Sequence, residues 1–281
     1  MERSQVKTIA IIALALINLF LISLIVVDFV LEASDTRYEI ALAVEVLAME
    51  GIFVNPYEIN INRNISAMVT ARDMDAELRL AQTLLGEVEI IDQGLIFRYE
   101  NPISGVAQFY SAGDFEVVFN GAFLPTPAGG ERAVAERLLS DMGIETSGLI
   151  RSIAVRPGAA GDRIITATGA YRGASIFNNN IEFIFEGNYL RAVRGRYVSG
   201  FEPVENGRQI SNIGTVLLGF LASVRNGEIT DKNILSIEPG FQFRPAGAIG
   251  EGIISPAWLI TTETGRYIAD CETGEFRRFD S

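Results

Sequence analysis

The sequence predicts an α+β fold: one N-terminal transmembrane helix, then two subdomains of antiparallel sheet packed with helices. Three observations lead to this prediction. A long apolar run stands near the start, strand-like segments outnumber helix-like segments after it, and a stretch rich in proline and glycine divides them. Runs of strands with few intervening helices are typical of antiparallel sheets with helices packed against them.

The apolar run covers residues 9–31 and is interrupted only by Asn18, Ser23 and Asp28. A helix that crosses the ~30 Å hydrocarbon core of a bilayer needs about 20 apolar residues, because each residue rises ~1.5 Å. Backbone polar groups inside lipid must also satisfy one another, which favours a helix. The run therefore predicts a single membrane-spanning helix.

Arg3 and Lys7 precede this run, whereas acidic residues follow it. Basic charge on the short flank places that flank in the cytoplasm. The protein is expected to lie in the cell membrane. Residues 1–8 would form a cytoplasmic tail, and the chain from residue 32 would lie outside the cell. A cleaved signal peptide is the alternative, but 31–33 (Leu-Glu-Ala) lacks the first small residue of a cleavage site.

The predicted span also suggests a contact with a partner helix. An amide near mid-span is costly unless it is hydrogen-bonded, so Asn18 is expected to face another helix. Ile11, Ala15 and Ile22 fall on the same side at helical spacing, and the small Ala15 allows close approach. These four residues form the predicted transmembrane partner contact.

The first outside subdomain is predicted over residues 32–125. Residues 36–50 and 73–85 have apolar positions at helical spacing. Turn residues separate the strand-like segments that follow. These predicted strands are 88–91, 95–99, 106–110 and 115–119.

Residues 125–130 contain two prolines and two glycines, which cannot lie inside a helix or a central strand. A subdomain boundary is predicted there, and the second subdomain covers residues 131–281. A helix is expected over 131–142. A hairpin turning at 187–188 is also expected, and alternation along its first arm places Ile181, Phe183 and Phe185 on one face. The other predicted elements are strands 150–156 and 163–171, a helix over 211–225, and strands 234–243, 257–262 and 266–271.

The chain contains no histidine. This excludes Ser-His-Asp and Cys-His catalysis, histidine-based zinc sites and a phosphorelay histidine. Its net charge of −12 opposes nucleic acid as a ligand. We predict no catalytic, cofactor-binding or metal-binding residue.

A few enzyme mechanisms stay open. The carboxylate pairs Glu87/Glu89 and Asp114/Glu116 could cleave glycosidic bonds, although alternation along a strand is also typical of solvent-facing residues. Cys271 lacks a neighbouring basic cluster that would deprotonate its thiol, so we expect it to be buried in a strand.

Segments in three parts of the chain share a resemblance to known proteins. They are Ser4, 7–9 and 17–21 at the start, 175–177 and 183–187 in the centre, and 256–260, 265–268 and 273–275 at the end. The start resembles the YycI (WalI) family, accessory proteins of the cell-wall two-component system of Gram-positive bacteria, although most members have Trp where Arg3 stands. The central segments are similar to the family's central hairpin, and the closing segments are similar to the final hairpin of that family and of PepSY-type domains.

The resemblance implies a non-enzymatic regulator that contacts a sensor histidine kinase and pairs with a YycH-like protein. Two alternatives remain. One is a PepSY-like inhibitor of an extracytoplasmic hydrolase, and the other is a cell-wall hydrolase with paired carboxylates.

Overall fold

A computed structural model describes residues 18, 37–60, 65–110, 113–127, 129–144, 150–158, 162–196, 198, 200–204, 207, 209–246 and 251–279. The longer described helices are α1 (described over 37–49), α2 (Met74–Leu85), α3 (Glu131–Asp141) and α4 (Ile213–Arg225), and Pro56–Glu58 form a short 3-10 helix. The strands in the first half are β1 (Phe53–Val54), β2 (Met68–Ala71), β3 (Glu89–Asp92), β4 (Ile96–Asn101), β5 (Gly105–Tyr110) and β6 (Asp114–Pro125). Those in the second half are β7 (Ile150–Pro157), β8 (Arg163–Tyr171), β9 (Ala174–Glu186), β10 (Tyr189–Arg196), β11 (Glu202–Pro203), β12 (Asn233–Pro245), β13 (Glu251–Thr262), β14 (Arg266–Asp270) and β15 (Phe276–Arg278).

The predicted α+β fold with a leading transmembrane helix is wrong, because the described chain is mostly β-sheet. Across the described ranges, every helix is too short or too polar to cross a bilayer. The predicted span 9–31 lies outside the described residues except for Asn18, as does the predicted tail 1–8. Two strands are longer than predicted, since β9 and β12 each have 13 residues.

The segment 125–130 does not interrupt the sheet. It joins β6 to α3, yet β6 pairs with β10 from the far side of that segment. Strands from both halves belong to one 15-stranded sheet. Pairing across the segment satisfies backbone groups that two separate sheets would expose at their edges. The domain bounds 32–125 and 131–281 stay predictions.

The predicted helices are confirmed, and side-chain caps mark the starts of two of them. Asp73 caps α2 by accepting a hydrogen bond from the Ala76 amide at 2.9 Å, and Asn212 caps α4 through the Gly214 amide at 2.7 Å. Such side chains satisfy the amides that a helix start leaves unpaired. The hairpin at 187–188 is confirmed as well, since β9 and β10 pair antiparallel around it.

The first core lies between α2, α3 and one face of strands β4 to β6 and β8 to β10. Apolar residues alternate along these strands and so point to the same side. Phe109 and Phe115 stack with ring centroids 5.5 Å apart, and Tyr99 meets Phe109 edge-on at 5.4 Å. The helices contribute the fully buried Ala81 and Leu139. This packing leaves the opposite face of these strands uncovered by α2 and α3.

The second core lies between α1, α4 and strands β12 to β14. Leu47, Leu217 and Phe220 meet Ile237 and Trp258 there. The Trp258 indole N–H donates to the backbone oxygen of Ser211 at 3.0 Å, so this large ring is buried without an unpaired donor.

A short parallel pairing of β9 with β12 joins the two halves of the sheet, with Gly240 opposite Ser175 and Phe241 opposite Ile176. The Asn178 side chain extends this pairing. Its Nδ2 donates to the Phe243 carbonyl and its Oδ1 accepts from the Phe243 amide, both at 2.8 Å. The side chain thus replaces one step of a backbone ladder between β9 and β12.

A buried carboxylate fastens the loop before β12 to the β13–β14 hairpin. Asp231 accepts hydrogen bonds from Thr262 at 2.9 Å, from Tyr267 at 2.8 Å and from Thr264. Burial disfavours the charged carboxylate, but the three hydroxyl groups and Arg278 outweigh that cost and hold the pKa of Asp231 below its ordinary 3.8. Burial, with Asp231 adding to it, raises the pKa of Tyr267.

We expect Asp231→Asn to destabilise the protein by about 2 kcal/mol at pH 7, because hydrogen bonds to a charged group are lost. A carboxyl whose pKa is lowered by folding stabilises the fold above its unfolded pKa and loses that effect as pH falls through the folded pKa. The difference between wild type and variant should therefore shrink below about pH 4. Urea unfolding of both proteins from pH 7 to pH 2.5 measures it, and a difference independent of pH would contradict the assignment.

Candidate functional site

The face of the sheet opposite α2 and α3 carries polar side chains on neighbouring strands. We call this surface, which is formed by strands β4 to β10, the open face. Cross-strand register places Glu182, Arg194 and Glu116 side by side on β9, β10 and β6. Gln108 and Arg98 continue the row on β5 and β4. An antiparallel sheet with one packed face presents such a row to solvent or to a partner.

A groove of about 370 Å³ lies in this face at β6, β9 and β10. Its size is at the small end of the range for small-molecule sites, about 300–1,000 Å³. The residues that line it are mostly charged or amide-bearing: Asp114, Phe115, Glu116, Asn178, Asn180, Glu182, Arg194, Gly195 and Arg196.

Charge is distributed unevenly along the groove. Glu182 pairs with two arginines, Arg194 at 3.0 Å and Arg156. Arg194 therefore leans towards β9 and away from β6. Glu116, half-buried on β6, has no ion-pair partner among the described residues. One end of the groove thus carries excess positive charge and the other an uncompensated carboxylate.

Arg196 is held more firmly than its neighbours. It pairs with Asp114 at 2.8 Å, donates to the Asn178 carbonyl at 3.2 Å and lies over the Phe243 ring at 4.7 Å. Only 18% of its side chain is exposed. Because Asn178 and Phe243 also join the two halves of the sheet, the groove lies beside that junction.

Gly195 sets the approach of β10 to β9 beneath the groove. Its φ is +149°, and a Cβ there would lie 2.0 Å from the backbone oxygen of Asn180. Only glycine fits, since it lacks the side chain that would separate the strands. The arginines on either side of it contact β9: Arg194 pairs with Glu182, and Arg196 donates to the Asn178 carbonyl.

The structure places few of the predicted site residues. Asn18 is helical and exposed, whereas Arg3, Lys7, Ile11, Ala15 and Ile22 lie outside the described residues. The predicted transmembrane contact and topology residues therefore stay predictions.

The carboxylate pairs considered for glycoside cleavage differ from each other. Glu87 and Glu89 are exposed at the edge of the sheet, but Asp114 and Glu116 line the groove. Burial of Cys271 is confirmed, one residue beyond β14. Among the described residues, no three acidic or thiol side chains come together in a geometry that would hold a metal ion.

The residues of the groove on β9 and β10 were not predicted from the sequence. The signal was present only in part: Asn180 and Glu182 flank the inward Ile181, but the inward residue between Asn178 and Asn180 is the polar Asn179, which interrupts the pattern. What alternation does not reveal is that β6 lies next to β10. That neighbour brings Asp114 and Glu116 to the same groove.

No family model matches the chain, and no curated protein matches it. Among solved structures, an uncharacterized protein from Eubacterium rectale ATCC 33656 is similar in fold, with a TM-score of 0.51 and 10% identity over 79% of this chain and 89% of that chain. YycH from Bacillus subtilis is a more distant neighbour, with a TM-score of 0.39 and 10% identity. That comparison covers 77% of this chain and 52% of YycH.

Proposed function

We propose that the chain is a non-enzymatic accessory regulator of a sensor histidine kinase in a cell-envelope two-component system. In this proposal the described domain lies outside the cytoplasm and works beside a YycH-like partner protein. The regulator binds one kinase conformation better than the other and shifts the equilibrium by the difference in binding free energy. A difference of about 1.4 kcal/mol changes the conformational ratio tenfold.

One observation carries the proposal. The central segment that resembles the YycI family is far in sequence from the closing hairpin that also resembles it, yet the two meet in one buried cluster of Phe177 on β9, Ala257 on β13 and Ile268 on β14. Gly240 fits against this cluster, since a Cβ there would lie 2.4 Å from the Phe177 ring. The resemblance therefore concerns a connected structural unit, which is what a shared fold and role would require.

The open face is the surface that we assign to the partner protein. It mixes both charge signs with apolar side chains such as Val118, which is 39% exposed. Complementary charges on a partner would fix the register of such a contact and speed association.

The test measures autophosphorylation of the sensor kinase encoded nearest to this chain, with and without the full chain. We expect a change of severalfold, and expect Arg194→Glu on the open face to remove most of it. Arg132→Glu on α3 is the matched control, because Arg132 is also an exposed arginine paired with a glutamate, at 2.8 Å. If the wild-type chain leaves kinase autophosphorylation unchanged, the proposal is rejected. If both variants lose the effect equally, the assignment of the open face to the partner is rejected.

A further inference from the structure

The groove on the open face has the charge pattern of a site for a small molecule with two opposite charges. Its β6 end holds Glu116, whose carboxylate no described side chain neutralises. Its β9 end holds Glu182 between Arg194 and Arg156, a net positive group. A ligand that places a cation beside Glu116 and an anion beside the two arginines would complete both ends.

The spacing of the strands sets the length of such a ligand. Glu116 and Glu182 stand in register on strands separated only by β10. Adjacent strands are about 4.8 Å apart, so the two ends of the groove are separated by about 10 Å. An extended peptide advances about 3.4 Å per residue, so two to three residues span this distance.

Two residues along β9 from Glu182, on the same face, Asn180 offers a group suited to a peptide bond. Its Oδ1 has no hydrogen-bond partner among the described residues, and its Nδ2 makes only a long contact of 3.4 Å to the Phe177 carbonyl. Rotation of this amide towards the groove would present an acceptor to a peptide N–H. The Arg196 side chain beside it is already held in place by Asp114 and Phe243.

We infer that this groove binds a short zwitterionic peptide of two to three residues, with its ammonium group at Glu116 and its carboxylate at Arg194 and Arg156. The geometry favours free termini over a passing segment of a longer chain, because the two charges stand one short peptide apart. The inference goes beyond the regulatory proposal and does not depend on it. Kinase association and peptide binding are separate measurements, and either can fail alone.

Titration of the full chain with trialanine, followed by isothermal calorimetry, tests the inference. We expect saturable binding at concentrations up to about 20 mM, and at least a tenfold weaker affinity for N-acetyl-trialanine and for trialanine amide. Each blocked peptide loses one of the two charge contacts.

Two variants assign the ends. Glu116→Gln should weaken trialanine binding about tenfold and leave binding of the N-acetyl peptide unchanged. Arg194→Gln should also weaken trialanine binding about tenfold, and it should leave binding of trialanine amide unchanged. Glu136→Gln, on the exposed side of α3, is the control that should bind like wild type. The inference is overturned by absence of binding, by blocked peptides that bind within twofold of trialanine, or by variants that lose affinity for all three peptides equally.

Discussion

Glu77→Ala is expected to lower the free energy of unfolding by about 3–5 kcal/mol, because it leaves a buried guanidinium without its counter-charge. Glu77 binds Arg72 through two contacts of 2.6 and 2.8 Å, with side chains only 6% and 8% exposed. The guanidinium also donates to the Phe109 carbonyl at 3.3 Å and lies 4.7 Å from the centre of the Phe97 ring. These contacts hold Arg72 in the core, so it cannot turn to solvent when Glu77 is removed.

The matched control is Glu136→Ala, which removes a glutamate from an exposed helical pair with Arg132. That pair has a similar distance of 2.8 Å, but its side chains are 58% and 39% exposed. Its loss should cost about 0.3–0.5 kcal/mol. Urea denaturation of both variants gives the comparison, and similar losses for both would contradict the argument from burial.

A double variant compares the loss of one charge of the Arg72–Glu77 ion pair with the loss of both charges. Burial raises the pKa of Glu77 even though Arg72 opposes that shift, so the desolvation cost of the charged carboxylate is substantial. The double variant Arg72→Met with Glu77→Leu removes both charges and both desolvation costs. We expect it to be more stable than Glu77→Ala, which retains the isolated arginine.

Gly195→Ala is expected to destabilise the protein by about 3 kcal/mol or more, since it combines an unfavourable backbone conformation with a steric overlap. The added Cβ would meet the Asn180 backbone oxygen at 2.0 Å and the Ile181 Cα at 2.9 Å. Both atoms belong to β9, so the two strands must move apart. The arginines of the groove would move with β10, and the groove should lose its binding properties together with stability.

Gly187→Ala is the control for backbone conformation alone. Gly187 has a φ of +58°, and nothing lies within 4 Å of a Cβ built there. Its replacement should cost only about 1 kcal/mol. Thermal unfolding and limited proteolysis of the two variants measure the difference, which should vanish if the close approach of β10 to β9 were unimportant.

Local sequence signals predicted individual elements well. Helix α2 follows directly from the Asp73 cap and from apolar residues at helical spacing, and both depend only on neighbours in the chain. The β9–β10 hairpin follows from alternation and a two-residue turn. Pairing within a hairpin needs no information from distant segments, because the turn itself sets the register.

The arrangement of the sheet was beyond local signals. Pairing of β6 with β10 and of β9 with β12 joins residues that are far apart in the chain. The proline- and glycine-rich segment 125–130 was predicted to lie outside any central strand, but β6 extends to Pro125, which pairs with Tyr189, and one sheet continues across the segment. The predicted fold class was wrong because the described chain is mostly β-sheet and no described helix is long and apolar enough to cross a membrane.

By itself, the sequence determined the acidic character of the chain, the exclusion of imidazole chemistry and the positions of most helices and turns. Tertiary structure alone decided that Glu116 makes no ion pair with a described side chain while Glu182 pairs with two arginines, and that Arg72 and Glu77 are buried together. The physical reason is that composition and periodicity act through near neighbours, whereas charge pairing and burial depend on which distant strands come to lie side by side.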